Sequence, residues 1–226
     1  VWFTEWTGNA IGRITTDGTT TSFPISTQGA FPVAIAAGPD GAMWFTENQG
    51  NQIGRISMDG TITEYPLPVV GGSLAGIAAG PDGAMWFAER SLDVIGRITM
   101  DGTITLFPIP AAAASPVGIA AGPDGAMWFT ESTGDKIGRI AMDGTITEFP
   151  LPSSGVLPNG IVAGPDGAMW FTEIAGNSIG RITMSGEVTN FAIPTPGSQP
   201  RGIALGADGA LWFAEFAGGA MGRITT

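Results

Sequence analysis

The sequence has 226 residues, of which 43% are hydrophobic and only 13% are charged, so a large core can form. Its formal net charge of −11, from 20 acidic and 9 basic side chains, argues against nucleic-acid binding, which needs a basic face to neutralise phosphates. No apolar run of about 18 residues is present, which predicts a soluble protein without a membrane-spanning segment.

A Trp-Phe pair recurs every 42 residues, within a longer unit of the type GPDGAMWFTE, IGRI, MDG and TITEFPLP. A period of this size indicates a repeat architecture before any propensity argument is made. The repeated tryptophans are Trp2, Trp44, Trp86, Trp128, Trp170 and Trp212. We therefore expect one domain, 1–226, made of the repeat units 1–42, 43–84, 85–126, 127–168 and 169–210 and the partial unit 211–226.

Each unit predicts four short strands, as the central copy illustrates. Residues 117–122 are small and apolar, and a Pro-Asp-Gly turn separates them from the aromatic strand 126–131. A third strand is expected at 136–141, and after an Asp-Gly hairpin a fourth strand alternates Thr with apolar residues at 145–152. Four antiparallel strands in every unit predict an all-β fold, a β-propeller of four-stranded blades.

The number of blades follows from counting strands. Second and third strands occur six times in the sequence, whereas first and fourth strands occur five times. A ring of six complete units needs 252 residues, 26 more than the chain has. We favour six blades with a closing blade that lacks an inner and an outer strand, and five or seven blades are the alternatives. An incomplete closing blade also predicts self-association, in which the spare hairpin of one chain completes a blade of another.

Small residues dominate the first strand of every unit, as in the segments AIAAG, GIAAG and GIALG. Because innermost propeller strands crowd around a central axis, we expect this strand to be the inner one. The bulky Trp, Phe and Ile are expected further out, where blades pack face to face at about 10 Å.

The pattern WFTE-x-x-x-N-x-IGRI-x-x-x-G-x-ITEFPLP resembles the virginiamycin B lyase (streptogramin lyase) family of β-propellers, which are relatives of NHL-repeat proteins. The resemblance covers essentially the whole chain, although members of that family usually have seven blades. It implies a bacterial antibiotic-resistance activity, the ring-opening elimination of cyclic depsipeptide antibiotics by a carbon–oxygen lyase. In the family this reaction depends on magnesium, on histidines at the start of inner strands and on nearby glutamates.

The chain departs from the family at these catalytic positions. The family's histidines follow the proline that opens the inner strand, and the matching residues here are Val33, Ala75, Val117, Asn159 and Arg201. The position before that proline, where the family can carry a glutamate, holds Phe31, Ser73, Ser115, Leu157 and Gln199. Since the chain contains no histidine, we predict no catalytic residue, no metal site and no cofactor, and magnesium enters only if the chain is a lyase.

Two charged positions recur in every unit and are interpreted as structural. Glutamate ends the second strand at Glu5, Glu47, Glu89, Glu131, Glu173 and Glu215, and arginine lies in the third strand at Arg13, Arg55, Arg97, Arg139, Arg181 and Arg223. An acidic ring around a cation is the functional alternative, but equivalent residues of blades about 10 Å apart cannot readily share one ion. We expect either a repeated Glu–Arg pair or an arginine stacked on the tryptophan of the facing strand.

Aspartate recurs in the turn after each first strand, at Asp40, Asp82, Asp124, Asp166 and Asp208. Calcium loops need several oxygen ligands in one short stretch, and these turns each offer a single carboxylate. The aspartates are therefore interpreted as turn residues.

The connections at the opposite end of each blade vary between the internal copies. Binding usually depends on loops held by a rigid scaffold, and relaxed drift of loop sequences is the alternative account. If these loops form a site for a small molecule or a peptide, its unusual members are Trp6, Arg90, Asp93, Asn159 and Arg201.

We prefer the hypothesis of a catalytically silent, lyase-like propeller that acts as a binding or structural scaffold and arose by repeat amplification or by engineering. The alternative is a magnesium-dependent streptogramin B lyase whose catalytic blade is not in this sequence. Neither a signal peptide nor a cysteine is present to indicate a compartment, and a leader could have preceded Val1.

Overall fold

The structure is a computed structural model that describes all 226 residues. It contains 22 β-strands and no helix, and therefore no membrane-spanning helix. The strands form six antiparallel sheets, four of four strands and two of three, which are the blades of a six-bladed β-propeller. The predicted all-β fold and the favoured number of blades are confirmed.

Two compact units make up the chain, Val1–Pro108 and Ile109–Thr226, and each contains three blades. The expectation of one domain over 1–226 stays a prediction. The first unit contains β1 (Trp2–Glu5), β2 (Ala10–Ile14) and β3 (Thr20–Pro24) in its first blade, β4 (Pro32–Ala37), β5 (Met43–Glu47), β6 (Gln52–Ile56) and β7 (Ile62–Pro66) in its second, and β8 (Leu74–Ala79), β9 (Met85–Glu89), β10 (Val94–Ile98) and β11 (Ile104–Pro108) in its third.

The second unit contains the remaining strands. Its blades are β12 (Pro116–Ala121), β13 (Met127–Glu131), β14 (Lys136–Ile140) and β15 (Ile146–Pro150), then β16 (Pro158–Ala163), β17 (Met169–Glu173), β18 (Ser178–Ile182) and β19 (Val188–Ala192), and finally β20 (Pro200–Leu205), β21 (Leu211–Glu215) and β22 (Ala220–Ile224). The first blade of the chain lacks the inner strand and the last blade lacks the outer strand. The number of strands agrees with the count made from the sequence, but the two absences fall on two different blades, so the expectation of a single closing blade that lacks both strands was wrong.

The register of the second and third strands explains the WF and GRI motifs. In the β13–β14 pair, Trp128 lies opposite Arg139 and Phe129 lies opposite Gly138. The ring of Phe129 occupies the space above Gly138, where an added Cβ would come within 2.1 Å of a ring carbon. Trp128 stacks on Phe149 of the outer strand, with 5.4 Å between ring centroids and 11° between planes. The motif thus encodes a layer of interleaved rings in each four-stranded blade.

Apolar side chains fill the space between neighbouring blades of each unit. In the first unit, the second blade contributes Trp44 and Ile53 and the third contributes Met85, Phe87 and Ile98, all fully buried. The corresponding residues of the second unit are Trp128, Ile137, Met169, Phe171 and Ile182. Burying a side chain of this size stabilises the fold by about 1.5–3 kcal/mol, so these layers hold successive blades together.

Inner strands approach one another as closely as their small residues suggest. A Cβ added to Gly118 of β12 would lie 2.3 Å from the carbonyl oxygen of Asn159 on β16, which real structures do not allow. A Cβ on Gly160 would lie 2.5 Å from the carbonyl oxygen of Arg201 on β20. The crowding predicted for the inner strands is therefore present in the second unit.

Candidate binding site at the loop end of the blades

The strands of each blade are antiparallel, so successive connections lie at opposite ends of the blade. The two ends differ chemically because their connections contain different residues. The turns that join the first strand to the second and the third to the fourth lie at one end, the turn end. The connections from the second strand to the third, and from each blade to the next, lie at the other end, the loop end. The candidate residues chosen from the sequence all lie at the loop end.

The turn end is occupied by a repeated cluster of aspartate, tryptophan and arginine. Oδ1 of Asp124 accepts hydrogen bonds from the Ala126 backbone N–H at 3.3 Å and from Trp128 Nε1 at 3.0 Å. Its Oδ2 accepts a hydrogen bond from Arg139 Nε at 2.6 Å. The same ion pair recurs as Asp40–Arg55, Asp82–Arg97, Asp166–Arg181 and Asp208–Arg223.

This cluster decides between the two interpretations of the arginines. Arg55 lies over the ring of Trp44, with 6.0 Å between its guanidinium carbon and the ring centroid. The stacking alternative is therefore present in the structure. The Glu–Arg pair was wrong, because the arginine pairs with the turn aspartate, which lies at the opposite end of the strand from the glutamate.

Hydrogen bonding also accounts for the acidity of the turn aspartates. Burial raises the pKa of Asp124, but hydrogen bonds from Trp128 and Arg139 outweigh it and hold the pKa below its usual value. At the more exposed Asp208, hydrogen bonds from Trp212 and Arg223 lower the pKa to about 2. These carboxylates stay ionised and already have partners, as turn residues should.

The glutamates that end the second strands are buried at the loop end and anchor its connections. Glu47, Glu89, Glu131 and Glu173 have no exposed surface. Glu89 accepts hydrogen bonds from the backbone N–H groups of Ser73 at 3.0 Å, Ser91 at 3.2 Å and Leu92 at 2.6 Å. A carboxylate enclosed in this way cannot reach a ligand in solvent, which favours the structural interpretation.

No set of side chains in the structure fits the magnesium ion that the resemblance implies. No group of three or more Asp, Glu, His or Cys side chains converges anywhere in the chain. A hard cation in a protein site takes its oxygens at about 2.0–2.6 Å. The donor set of such a site is missing from these residues.

The threonine of the WFTE motif fixes the start of the inner strands, a role that the sequence analysis missed. In the second unit, Thr172 Oγ1 accepts a hydrogen bond from the backbone N–H of Gly160 at 2.9 Å and donates one to the carbonyl oxygen of Arg201 at 2.6 Å. Thr130 joins Gly118 and Asn159 in the same way, at 2.9 and 2.7 Å. The signal was present in the sequence as a threonine at four of the six equivalent positions, Thr4, Thr46, Thr130 and Thr172, with alanine at Ala88 and Ala214.

The residue before the inner-strand proline has an unusual backbone conformation. The backbone lies in the left-handed region, which residues other than glycine rarely adopt. The φ values are 50° at Phe31, 49° at Ser115, 53° at Leu157 and 50° at Gln199. The carbonyl oxygen of Leu157 accepts a hydrogen bond from the Ile174 backbone N–H at 3.1 Å, which ties the two loops of that blade together. Strained backbone of this kind clusters at functional sites.

In the first unit the predicted binding residues lie on two blades. Trp6 follows β1, is 48% exposed and contacts Phe31 at 5.7 Å between ring centroids. Arg90 and Asp93 share the connection between β9 and β10, where the Arg90 backbone N–H donates to the carbonyl oxygen of Ser73 at 3.1 Å. Asp93 has a φ of 52°, as do its counterparts Asn9, Asn51, Asp135 and Asn177 within a few degrees. Its position is therefore that of a loop-forming residue, and a role in binding stays a prediction.

In the second unit, Asn159 and Arg201 begin neighbouring inner strands. Their carbonyl oxygens are held by Thr130 and Thr172, so the backbone under both side chains is fixed. The guanidinium carbon of Arg201 lies 4.2 Å from the ring centroid of Phe216, a cation–π contact on an exposed ring. Together they provide an amide, a fixed cation and an aromatic surface, which suits a ligand with carbonyl oxygens and apolar rings.

Comparison with known proteins shows the family. The family model for the virginiamycin B lyase family matches residues 1–115 and 74–226. A structure of streptogramin B lyase is 42% identical, with a TM-score of 0.94, over 98% of this chain and 74% of that one. No significant match is found among curated proteins.

Two structures of virginiamycin B lyase from Staphylococcus aureus are 45% identical, each with a TM-score of 0.97, over 100% of this chain and 77% of theirs. One of them is a catalytically inactive variant, in which a histidine is replaced by alanine, with quinupristin. Because the family model and these structures together match the whole chain, the chain belongs to the virginiamycin B lyase family.

Proposed function

We propose that these 226 residues form a catalytically silent member of the family, which binds a cyclic depsipeptide of the quinupristin kind at the loop end and leaves its ring intact. One observation carries the proposal. The blade architecture matches that of the family, but none of the positions that match the family's catalytic histidines holds a histidine. The TM-score of 0.97 supports the same blade architecture over these 226 residues, which contain no histidine. Ring-opening elimination needs a base, and imidazole is the side chain most often used near neutral pH.

The residues at the family's histidine positions support binding rather than catalysis. An amide side chain such as Asn159 can donate and accept hydrogen bonds but cannot take up a proton near neutral pH. The guanidinium of Arg201 stays protonated and offers donors to carbonyl oxygens. The inactive variant of the Staphylococcus aureus enzyme is consistent with this division, since its structure holds quinupristin although a histidine has been replaced.

A magnesium-dependent streptogramin B lyase is the second candidate function. It is favoured by the 45% identity to an enzyme of which this chain covers 77%. This function needs a base and a metal-binding donor set from residues other than these 226. The two candidates therefore agree on the ligand and differ on whether its ring is opened.

Quinupristin binding tests the proposal at the level of the site. We expect saturable binding in isothermal titration calorimetry, and the Arg201→Ala variant should bind about 10- to 100-fold more weakly, because a hydrogen bond to a charged group contributes about 1.5–3 kcal/mol. Arg223→Ala is the matched control, since Arg223 pairs with Asp208 at the turn end of the same blade. Absence of saturable binding, or equal weakening by both substitutions, would rule the proposed site out.

A further inference from the structure

The glutamates that end the second strands have different neighbours in different blades. In the blade of β12–β15, Lys136 lies opposite the buried Glu131, and its Nζ donates a hydrogen bond to Glu148 Oε1 of the outer strand at 2.9 Å. This lysine-bearing blade therefore carries one ammonium group for its two carboxylates. It shows that the loop end of a blade can hold a positive charge next to a buried glutamate.

The blade of β4–β7 has the same two carboxylates without the ammonium group. Glu47 and Glu64 occupy the places of the two glutamates in the repeat, and Gln52 occupies the place of Lys136. The carboxyl groups of Glu47 and Glu64 are within hydrogen-bonding reach of each other. None of the ion pairs in the chain includes either of them. This blade therefore has two adjacent carboxylates and no basic side chain paired with them.

One oxygen of Glu47 is buried without a partner. Glu47 has no exposed surface, its Oε1 accepts no hydrogen bond, and its Oε2 accepts one from Gln52 Nε2 at 3.4 Å. Other blades supply close donors to this glutamate, such as the backbone N–H groups at Glu89 and the side chain of Asn190 at Glu173. Because an unpaired charge is strongly unfavourable when buried, the Glu47 oxygen indicates a positive partner that the side chains here do not provide.

Neutral polar groups lie next to the two carboxylates. Glu64 accepts hydrogen bonds from the Thr27 backbone N–H at 3.2 Å and from the Ser26 hydroxyl group. Gln52 Nε2 donates to Thr27 Oγ1 at 2.7 Å as well as to Glu47. Glu64, Thr27 and Gln52 are half-buried and Ser26 is exposed, so solvent reaches the outer side of this cluster while Glu47 closes its inner side.

The lysine-bearing blade lacks these hydroxyl groups. The residues in the places of Ser26 and Thr27 are Pro110 and Ala111. The blade with the ammonium group thus has no hydroxyl oxygens at these positions, whereas the blade without it has two. Additional oxygens in place of a lysine are what a bound cation requires, because hard cations are held by several oxygen ligands.

We propose that Glu47 and Glu64 bind a calcium ion at the loop end of this blade, with neutral oxygens from Thr27, Ser26 and Gln52. Half a turn of the Gln52 amide presents its oxygen instead of its nitrogen. Calcium takes about 6–8 oxygens from carboxylates, neutral groups and water in flexible geometry, whereas magnesium requires a near-ideal octahedron. An irregular cluster with two carboxylates therefore suits calcium. The site is separate from the proposed depsipeptide site, whose asparagine and arginine lie in the second unit.

Calcium titration of the metal-free chain tests the site. In isothermal titration calorimetry we expect one calcium ion per chain, with a dissociation constant of about 10⁻⁴–10⁻³ M, at the weak end of protein calcium sites. Gln52→Lys introduces the ammonium group of the lysine-bearing blade, and Glu64→Gln removes one carboxylate charge. Each substitution should raise the dissociation constant at least about 10-fold.

Two control variants make the same changes of charge at exposed residues. Gln49→Lys adds a lysine in the connection between β5 and β6, and Glu187→Gln removes a carboxylate just before β19. Both should leave the dissociation constant within about 2-fold of its original value, because exposed charges interact weakly with their surroundings.

Three outcomes would overturn the proposal. The first is the absence of saturable binding up to about 10 mM calcium, well above the expected dissociation constant. The second is equal weakening by Gln52→Lys and Gln49→Lys, which would assign the binding to the net charge of −11. The third is tighter binding of magnesium than of calcium by the unmodified chain.

Urea titration without calcium gives a second measurement. Gln52→Lys should unfold at a higher urea concentration than the unmodified chain, because its ammonium group supplies the charge that calcium otherwise provides. A lower midpoint would contradict the assignment of a cation to this position.

Discussion

One aspartate in each turn organises three donors, and this arrangement makes the turn end stable in every complete blade. At Asp124 a backbone N–H, an indole N–H and a guanidinium converge on one carboxylate. The arginine and the tryptophan also lie opposite each other in adjacent strands. Removing the carboxylate therefore leaves several polar groups without their partner.

We expect Asp124→Ala to lower the free energy of unfolding by about 1–3 kcal/mol, because partly buried donors lose a charged acceptor. The control is Asp143→Ala in the exposed turn of the same blade, where Asp143 accepts a hydrogen bond from the Thr145 backbone N–H and binds neither the tryptophan nor the arginine Nε of the cluster. Urea titration of both variants measures the difference. Equal losses would show that the cluster adds nothing beyond the turn itself.

The buried Glu47 has an environment unlike that of the turn aspartates. Burial first, and then the negative charge of the neighbouring Glu64, raise the pKa of Glu47 to about 8. Gln52 Nε2 donates to Glu47 Oε2 at 3.4 Å, and Oε1 of Glu47 has no donor. Glu64 is fixed in turn by hydrogen bonds from Ser26 and from the Thr27 backbone N–H. A proton on Glu47 relieves the repulsion between the two carboxylates.

This pKa sets the sign of a pH effect on stability. Because the pKa is about 8 in the folded chain and 4.5 in the reference state, folding favours the protonated form. The free energy of unfolding should therefore fall as pH rises from about 5 to about 8, at up to about 1.4 kcal/mol for each pH unit. The Glu47→Gln substitution should remove most of this fall. Urea titrations at about pH 5 and about pH 8 measure the free energy of unfolding of both chains.

Glu187→Gln is the control for that substitution, because Glu187 is an exposed residue just before β19. It should keep the pH dependence of the unmodified chain. A steep fall that survives in Glu47→Gln would assign the effect to another group.

At the scale of the strand, the distance between inner strands limits which residues they can contain. A Cβ added to Gly118 would lie 2.3 Å from the carbonyl oxygen of Asn159 on the next inner strand. A Cβ added to Gly202 of the last blade would have no atom within 4 Å. The two glycines occupy the same place in the repeat, 84 residues apart. They differ only in whether another blade of their unit covers them.

Gly118→Val should therefore destabilise the chain by about 1–3 kcal/mol, the usual effect of overpacking. Gly202→Val should leave the free energy of unfolding within about 0.5 kcal/mol of the original, as substitutions in open positions do. Both are measured by urea titration at a concentration where the chain is monomeric. A large loss in Gly202→Val would mean that its face is covered in the isolated chain.

The sequence predicts these elements well because their causes are local. Strand order, the turns and the missing inner and outer strands follow from residue spacing and from the fixed conformations of Pro-Asp-Gly and Asp-Gly. The partner of Arg139 could not be predicted in the same way. Its choice of Asp124 over Glu131 depends on which end of the β13–β14 pair the side chain reaches.

Side-chain roles at the loop end were harder to predict from the sequence. Thr130 and Thr172 each donate a hydrogen bond to a backbone carbonyl oxygen of the next blade, 29 residues further along the chain. No local sequence pattern specifies such a contact. Asp93 was singled out as unusual, yet its counterpart Asp135 is also an aspartate and its positive φ is shared with every counterpart that has a side chain. Variation between repeats therefore points to the loops, and the binding roles of individual residues within them stay predictions.

At the scale of the whole chain, our proposal is that these residues keep the family's blade architecture without the family's catalytic chemistry. The chain matches virginiamycin B lyase at 45% identity, and its repeated clusters, glutamates and threonines all serve the architecture of the blades. The candidate side chains at the loop end are Trp6, Arg90, Asp93, Asn159 and Arg201. In our proposal they hold a ligand, and neither the asparagine nor the arginines can remove a proton near neutral pH.

The most direct test of this account is to incubate the chain with quinupristin and magnesium and to separate the products by liquid chromatography with mass detection. Ring-opening elimination gives a linear isomer of unchanged mass, so the readout is a new peak at a different retention time. We predict that quinupristin is recovered intact, while virginiamycin B lyase in a parallel reaction converts it. A linear isomer formed by this chain in repeated turnovers would contradict the account and establish it as a lyase that works without histidine.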